Sequence, residues 1–278
     1  MSAPRKYKPT LMEKLLGRNY KWWYIITYYF KTMTAYRGNT AFWSLFGLFN
    51  FWFTILVWYI NKLNGSQVDF SEITTYLFFG NLYSQFINAW VASDLSELIK
   101  EGRLVSKLLL PTPFFKNYLF EFIGKTLGNL IITTTIFLLS AILVFPYLKI
   151  NFDLTNLFFV ILSIPMAYLI AFNFNLIIGS FAFWLTETEG LRNFKELFFD
   201  FLRGGYVPLG LITIYFPILN FQPFAWLLHH PMQIYLGKYS SVQTLWVFLG
   251  GIIWCLVLHF LAKLVFKIGL KKNESVGL

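Results

Sequence analysis

Four ionisable residues recur along one stripe of an otherwise apolar stretch: Arg192, Glu196, Asp200 and Arg203, at steps of four, four and three. That is the spacing of one helical face. Charges of both signs so arranged can neutralise one another, Arg192 with Glu196 and Glu196–Asp200 with Arg203. They can also line a path for polar matter across a membrane. A second stripe is uncharged. Asn81, Gln85 and Asn88 sit at i, i+4 and i+7, with Gly80 and Ser84 beside them. Amides turned toward lipid cost several kcal/mol apiece, so this face must meet protein or a wet cavity. Each stripe admits two readings, the border of a route or an internal network that fixes helix packing. The charged one admits a third, a position wholly in the cytoplasmic interface.

The stretch SDLSELIKEGRLVSKLLLPTP, Ser93 to Pro113, offers surface chemistry instead. Asp94 and Glu97 have capping-box spacing, which starts a helix there. Leu95, Leu98, Ile99, Gly102, Val105 and Leu108 form an apolar face, while Ser96, Lys100, Arg103 and Lys107 form a polar one. Pro111 and Pro113 end the helix. Such a four-turn amphipathic helix either docks its polar face into a partner's groove or covers the inner surface of a bundle.

Metal, hydrolytic and nucleotide chemistry find little footing. There are three His in all, and the adjacent His229 and His230 point about 100° apart on a helix, which makes them poor joint ligands. They are expected as a solvated feature at the outer interface. No H-E-x-x-H, G-x-S-x-G or G-x-x-x-x-G-K-[ST] occurs. No catalytic residue and no metal ligand is assigned, and any nucleotide chemistry must lie on a partner. Cys255 is the single cysteine and lies in an apolar run, so a disulfide framework is impossible.

The elements that must position these residues are membrane helices. The 278 residues are 57% hydrophobic, 21% aromatic and 13% charged, about half the charge of a soluble domain. Spans are expected at about 40–60, 73–92, 114–145, 154–185, 190–209 and 242–267, each long enough to cross hydrocarbon. On the side that holds the N-terminus, the chain places Lys and Arg in the first 39 residues, after the second span, at the start of the fifth and at the C-terminal end. Only Lys62, Lys149 and Lys238 fall on the opposite side. The positive-inside rule makes both termini cytoplasmic. It also assigns the net charge of +10 to membrane topology rather than nucleic acid. No cleavable signal peptide is expected.

Two segments are too irregular or too charged to cross. LMEKLLGRNYKWWYIITYYF carries Lys14, Arg18 and Lys21 among Trp and Tyr, the composition of an interfacial helix on the cytoplasmic leaflet. Pro208, Pro217, Pro223 and Pro231 break the region 208–235 into short pieces, read as re-entrant helices on the outer side. Pro165 suggests a kink in the fourth span, and Glu121 with Lys125 forms an i, i+4 pair at the inner interface. The expected architecture is thus an all-α integral membrane protein of six spans. It comprises an N-terminal region 1–39 and a spanning domain 40–278.

The series Leu98, Ile99, Gly102, Leu104, Leu108, Leu109 and Pro111 resembles the first cytoplasmic loop of ATP-binding-cassette type-2 permeases, above all their smaller six-span exporter subfamily. GGYVPLGLITIYFP, with Gly204, Pro208 and Pro217, resembles that family's outer turn after span five. PFAWLLHHPMQIYLG, with Pro223, Phe224, Pro231 and Gly237, resembles the run before its last span. Leu110 departs from the Arg that many relatives carry before the proline, so no salt bridge from that position is carried over. The resemblance implies an export permease with a connecting helix at its N-terminus and a coupling helix at about 93–110. Asp94, Glu97, Leu98, Lys100, Glu101, Gly102, Arg103, Lys107 and Pro111 would serve ATPase coupling. Asn81, Gln85, Asn88, Arg192, Glu196, Asp200 and Arg203 would border the pathway or dimer interface.

It further implies two copies of a separate ATPase that holds ATP and Mg. No cofactor would sit on this chain, which would pair with a second permease chain, identical or sister, in a prokaryotic cytoplasmic membrane. An amphiphilic cargo is compatible with the abundant Phe, Trp and Tyr. The rival classes are a lipid-modifying membrane enzyme and a non-transporting membrane anchor.

Overall fold

The computed structural model describes residues 17–87, 90–150, 152–185 and 188–274, without the side chains of Arg18, Arg192, Asn273 and Glu274. Among the described residues there are helices and no strand. In chain order they are α1 (Tyr20–Ala35), α2 (Arg37–Leu63), α3 (Phe70–Ile87), α4 (Val91–Lys100), α5 (Leu104–Leu108) and α6 (Phe114–Leu139). There follow α7 (Ala141–Val144), α8 (Leu154–Ser180), α9 (Glu189–Arg203), α10 (Leu209–Thr213), α11 (His229–Tyr235) and α12 (Ser241–Glu274).

Four stretches are long and apolar enough to cross a membrane: α2, α6, α8 continued to Phe183, and α12. The second and fifth expected spans fall short of that mark, α3 by the composition of its 18 residues and α9 already by its length of 15. The fifth is shorter than expected because α9 stops at Gly204, which takes a left-handed φ of +86°. The third and fourth also close early, at Leu139 and Ser180, each followed by a short 3-10 or helical turn. The last is longer and runs on to Glu274. α8 is the most buried of the four, and it packs against α12, α4 and α11. Its start is fixed by Asp153, whose side chain accepts hydrogen bonds from the Thr155 and Asn156 amides. The helix continues through Pro165.

One end of the bundle gathers α4, α5, the starts of α1 and α6, and the tail of α12. Phe266 of α12 stacks on Phe114 of α6 there, with ring centroids 4.8 Å apart. Because Lys and Arg concentrate at this end, we call it the basic end. Of the segment read as an interfacial helix, residues 11–16 lie outside the described residues, and α1 covers its later part, lengthwise beside α6. Trp22 stacks on Phe120 at 5.1 Å, and a Cβ on Gly124 or Gly128 would come within 2.5 Å of the Ile26 carbonyl oxygen or 2.7 Å of Met33 Cβ. Gly124 and Gly128 form a small-xxx-small pair, the device by which membrane helices bring their backbones together.

At the opposite end, the proline-rich region forms a folded wedge. His229 to Tyr235 are buried throughout. Backbone that leaves a helix inside a membrane must find partners within the protein. Here Trp254 Nε1 donates to Phe221 O at 2.9 Å, while Gln222 Nε2 donates to Leu202 O of α9 at 2.8 Å and Trp226 Nε1 to Val247 O of α12 at 2.6 Å, tying the wedge to its neighbours. The histidine pair is therefore not the solvated feature its position suggested. His230 lies between Tyr239 Oη at 2.8 Å and Asn220 O at 2.9 Å. Burial holds both imidazoles well below the usual histidine range, so each stays uncharged at neutral pH. Just past the wedge, Lys238 pairs with Glu72 of α3, and nearby Lys149 of the loop before α8 pairs with Asp69.

The α1–α6 contact is the most exposed to test. Gly124→Leu should weaken the folded protein by roughly 1–3 kcal/mol through overpacking, seen as a lower thermal midpoint in detergent and loss of α1 protection from protease. An unchanged midpoint would mean that α1 does not dock through this glycine pair.

Candidate functional site

Both polar stripes of the sequence reach one place. A cavity of about 330 Å³ opens between α2, α3, α6 and α9, and Asn81 and Gln85 line it together with Glu196, Asp200 and Arg203. α9 is strongly amphipathic: Phe194, Leu197, Phe198 and Phe201 turn outward, Asp200 and Arg203 turn in, and Glu196 borders the cavity at its exposed rim. Arg203 Nη2 stands 2.6 Å from Asp200 Oδ1, and Nη1 donates to Ser84 Oγ at 3.2 Å, joining α9 to α3. Tyr206 Oη lies 3.4 Å from the same carboxylate, and Trp58 Nε1 donates to Tyr206 O at 3.1 Å.

The expected pairing of Asp200 with Arg203 is thus present, the expected pairing of Glu196 with Arg192 lies outside the described side chains, and Glu196 has a further partner that the spacing did not suggest. That partner is Lys195, at 2.7 Å, and Lys195 Nζ also reaches Asn175 Oδ1 at 3.1 Å. Sequence spacing could not reveal this, because adjacent residues on a helix do not ordinarily face each other; the long lysine side chain bends back. Arg192 has no described side chain, and Asn88 lies outside the described residues.

The amide stripe divides its labour. Asn81 Nδ2 donates to Leu77 O at 3.0 Å, and Gln85 Oε1 accepts from the hydroxyls of Thr133 and Thr134 at 3.0 and 2.7 Å. Thr40 Oγ1 donates to Asn129 Oδ1 at 3.0 Å. The residues that α2 and α6 contribute were not singled out from the sequence. A signal existed: Thr40, Ser44, Gly47, Asn50 and Thr54 recur every three or four positions, as do Thr126, Asn129 and Thr133. Small and hydroxyl residues are common enough in membrane helices to hide such a pattern. Beside the cavity, a second cleft of about 510 Å³ shares Trp43, Gly47, Asn50 and Trp90 with it and adds Asn39 and Phe46.

The loop segment at the basic end departs from a single four-turn helix. α4 stops at Lys100, residues 101–103 turn with Gly102 at φ +69°, and α5 resumes at Leu104. A left-handed residue ends the helical hydrogen-bond ladder, and glycine takes that conformation without strain. The break re-phases the apolar face. Leu95, Leu98, Ile99 and Leu104 are buried, whereas Val105 and Leu108 are exposed. Ser96, placed on the polar face by periodicity, is buried and donates to Ala92 O at 2.7 Å.

Asp94 is also not a cap, since α4 begins at Val91 with no side-chain cap. It faces inward, accepting from Tyr118 Oη at 2.7 Å and Lys125 Nζ at 3.0 Å. Lys125 stands 2.8 Å from Glu121 Oε1, and Lys107 stands 2.6 Å from Glu121 Oε2. An unbroken chain of charges, Asp94–Lys125–Glu121–Lys107, therefore fastens both halves of the loop to the first turns of α6. Glu97, Lys100, Glu101 and Arg103 are left at the surface, where Arg103 pairs with Glu101 and reaches Glu97 at 3.9 Å. Leu98 packs in the core and Pro111 sits in the turn leading to α6.

Residues 42–277 match the family described as ABC-2 family transporter protein. The chain belongs to the ABC-2 transporter family. It is an ABC-2 permease, the membrane component of a type of transporter that works with an ABC ATPase, and a transport subunit rather than an enzyme. The match starts within α2, so α1 precedes it. No curated protein and no solved structure gives a significant match.

Glu121 is the hub of the charge chain and nearly buried, at 8% side-chain exposure. Glu121→Gln leaves Lys107 without its carboxylate and Lys125 with Asp94 alone, and should cost about 3 kcal/mol, read as a lower thermal midpoint of the permease in micelles. A replacement without effect would show that the chain carries no stability.

Proposed function

We propose that this permease forms, with a second permease chain of the same or a sister kind, the membrane pathway of an exporter in a prokaryotic cytoplasmic membrane. In this reading the chain crosses six times, with both termini and the basic end in the cytoplasm. α3 and α9 cross as well, although neither is apolar enough by composition. A helix that gives one face to a polar cavity need not be apolar all round.

α4, the Gly102 turn and α5 together serve as the coupling element. Glu97, Lys100, Glu101 and Arg103 meet a groove on the ATPase, two copies of which bind the paired permeases and hold ATP and Mg. Asp94, Lys107, Glu121 and Lys125 transmit the resulting push to α6, whose other end borders the cavity through Thr133 and Phe137. The cargo is amphiphilic and moves outward. A single observation carries this reading: the amide and charged stripes converge on one polar cavity in a bundle otherwise faced with Phe, Leu and Ile.

A phosphate-loop ATPase should copurify with the permease from its native membrane. Gly102→Pro forces φ near −65° where the turn needs +69°, and transport per ATP hydrolysed should fall roughly tenfold, the effect of about 1.4 kcal/mol of lost coupling. Failure of any such ATPase to copurify, or a Gly102→Pro complex with normal stoichiometry, would refute the coupling role. Asp200→Asn should depress transport without loss of assembled complex, and unchanged transport would remove α9 from the pathway.

A further inference from the structure

Resting on that reading of the cavity, the charge pattern of its wall narrows the cargo. A wall that selects ions of one sign keeps the opposite charge available to meet them. Among the described residues this wall carries two cations and two anions, and each cation already holds a carboxylate: Lys195 with Glu196 at 2.7 Å, Arg203 with Asp200 at 2.6 Å. The described lining charges sum to zero. An incoming ion would have to break the Arg203–Asp200 pair, whose side chains are only 20% and 28% exposed, or take Lys195 from Glu196 and Asn175, and either exchange gives up a contact already made. The rest of the polar wall is amide and hydroxyl, as at Asn50, Asn81, Gln85 and Asn129. Such groups both donate and accept, so they suit hydroxyls, amides and zwitterions without a charge preference.

The second observation is the side cleft at the basic end. It shares Trp43 and Trp90 with the polar cavity, and with Phe46 these rings are half-exposed, at 56%, 50% and 57%. Aromatic side chains at such a mouth sit comfortably between hydrocarbon and headgroup. We infer that the cavity binds the net-neutral polar headgroup of an amphiphile, which enters sideways between Trp43 and Trp90 from the leaflet at the basic end. Its apolar tail stays on the outward faces of α2 and the cleft. The volume of about 330 Å³ limits the headgroup to a small one.

The test uses the permease alone, without ATPase, in phosphatidylglycerol nanodiscs. Four photoreactive probes share one alkyl chain with a diazirine beside the headgroup: a glucoside, a phosphocholine, a sulfate and a trimethylammonium. Adducts are mapped by mass spectrometry with and without excess unlabelled amphiphile. The glucoside and phosphocholine should label cavity peptides of α2, α3 and α9 about tenfold more than either ion, as 1.4 kcal/mol of discrimination would give, and competitor should suppress them.

Glu196→Gln releases Lys195, and Asp200→Asn releases Arg203; either should raise sulfate labelling to match the glucoside. Preferential labelling by an ionic probe in the unaltered chain, or equal and uncompeted labelling confined to lipid-facing peptides, would overturn the inference. Because no ATPase is present, that result is separate from a failure of the coupling role. Selective labelling without a copurifying ATPase would leave the binding site standing and the transporter assembly refuted.

Discussion

Inside hydrocarbon a charge has no water to fall back on, so each must be answered by another group of the protein. That constraint organises both working regions of this permease. At the basic end, Asp94 and Glu121 answer Lys107 and Lys125, and in doing so they bind a surface segment to the root of α6. In the cavity, Asp200 answers Arg203 and Glu196 answers Lys195, which lets the amphipathic α9 stand among apolar helices. The same rule governs uncharged groups. The prolines of the outer wedge free backbone from helical pairing, and Gln222, Trp226, His230 and Trp254 supply side-chain hydrogen bonds inside the fold.

These two regions are joined by α6. Its first turns carry the charge chain, its middle receives α1 through Gly124 and Gly128, and its far half presents Thr133 and Phe137 to the cavity. A straight, well-packed helix of 26 residues is stiff over about 39 Å. It joins the α4–α5 segment to the cavity wall, and α1 packs along it between the two.

Much of this was legible in the sequence wherever the relevant spacing is local. The steps between Asn81 and Gln85, and between Asp200 and Arg203, put the right residues on the right faces, and the face of each span needed only helical geometry. Partners far along the chain were hidden. Asp94 has capping-box spacing with Glu97, yet Tyr118 and Lys125 claim its carboxylate, and no local pattern announces residues that far away. Gly102 fitted the apolar period of a continuous helix, so periodicity passed over the left-handed turn that glycine makes cheap. His229 and His230 followed two prolines at an outer boundary, where solvent was the natural expectation. Their burial comes from the wedge folding back between α3 and α8, a tertiary event.

The central claim is that a polar, water-accessible cavity lies between α2, α3 and α9 in a bundle whose outer faces meet lipid. Thiol accessibility tests it most directly. With Cys255 replaced by Ser, a cysteine is placed at Ser84 on the cavity wall or at Phe49 on the outward face of α2, and the reconstituted permease is treated with a charged, water-soluble methanethiosulfonate reagent. The cysteine at position 84 should react readily and the one at position 49 should stay protected. Equal protection at both positions would contradict the account.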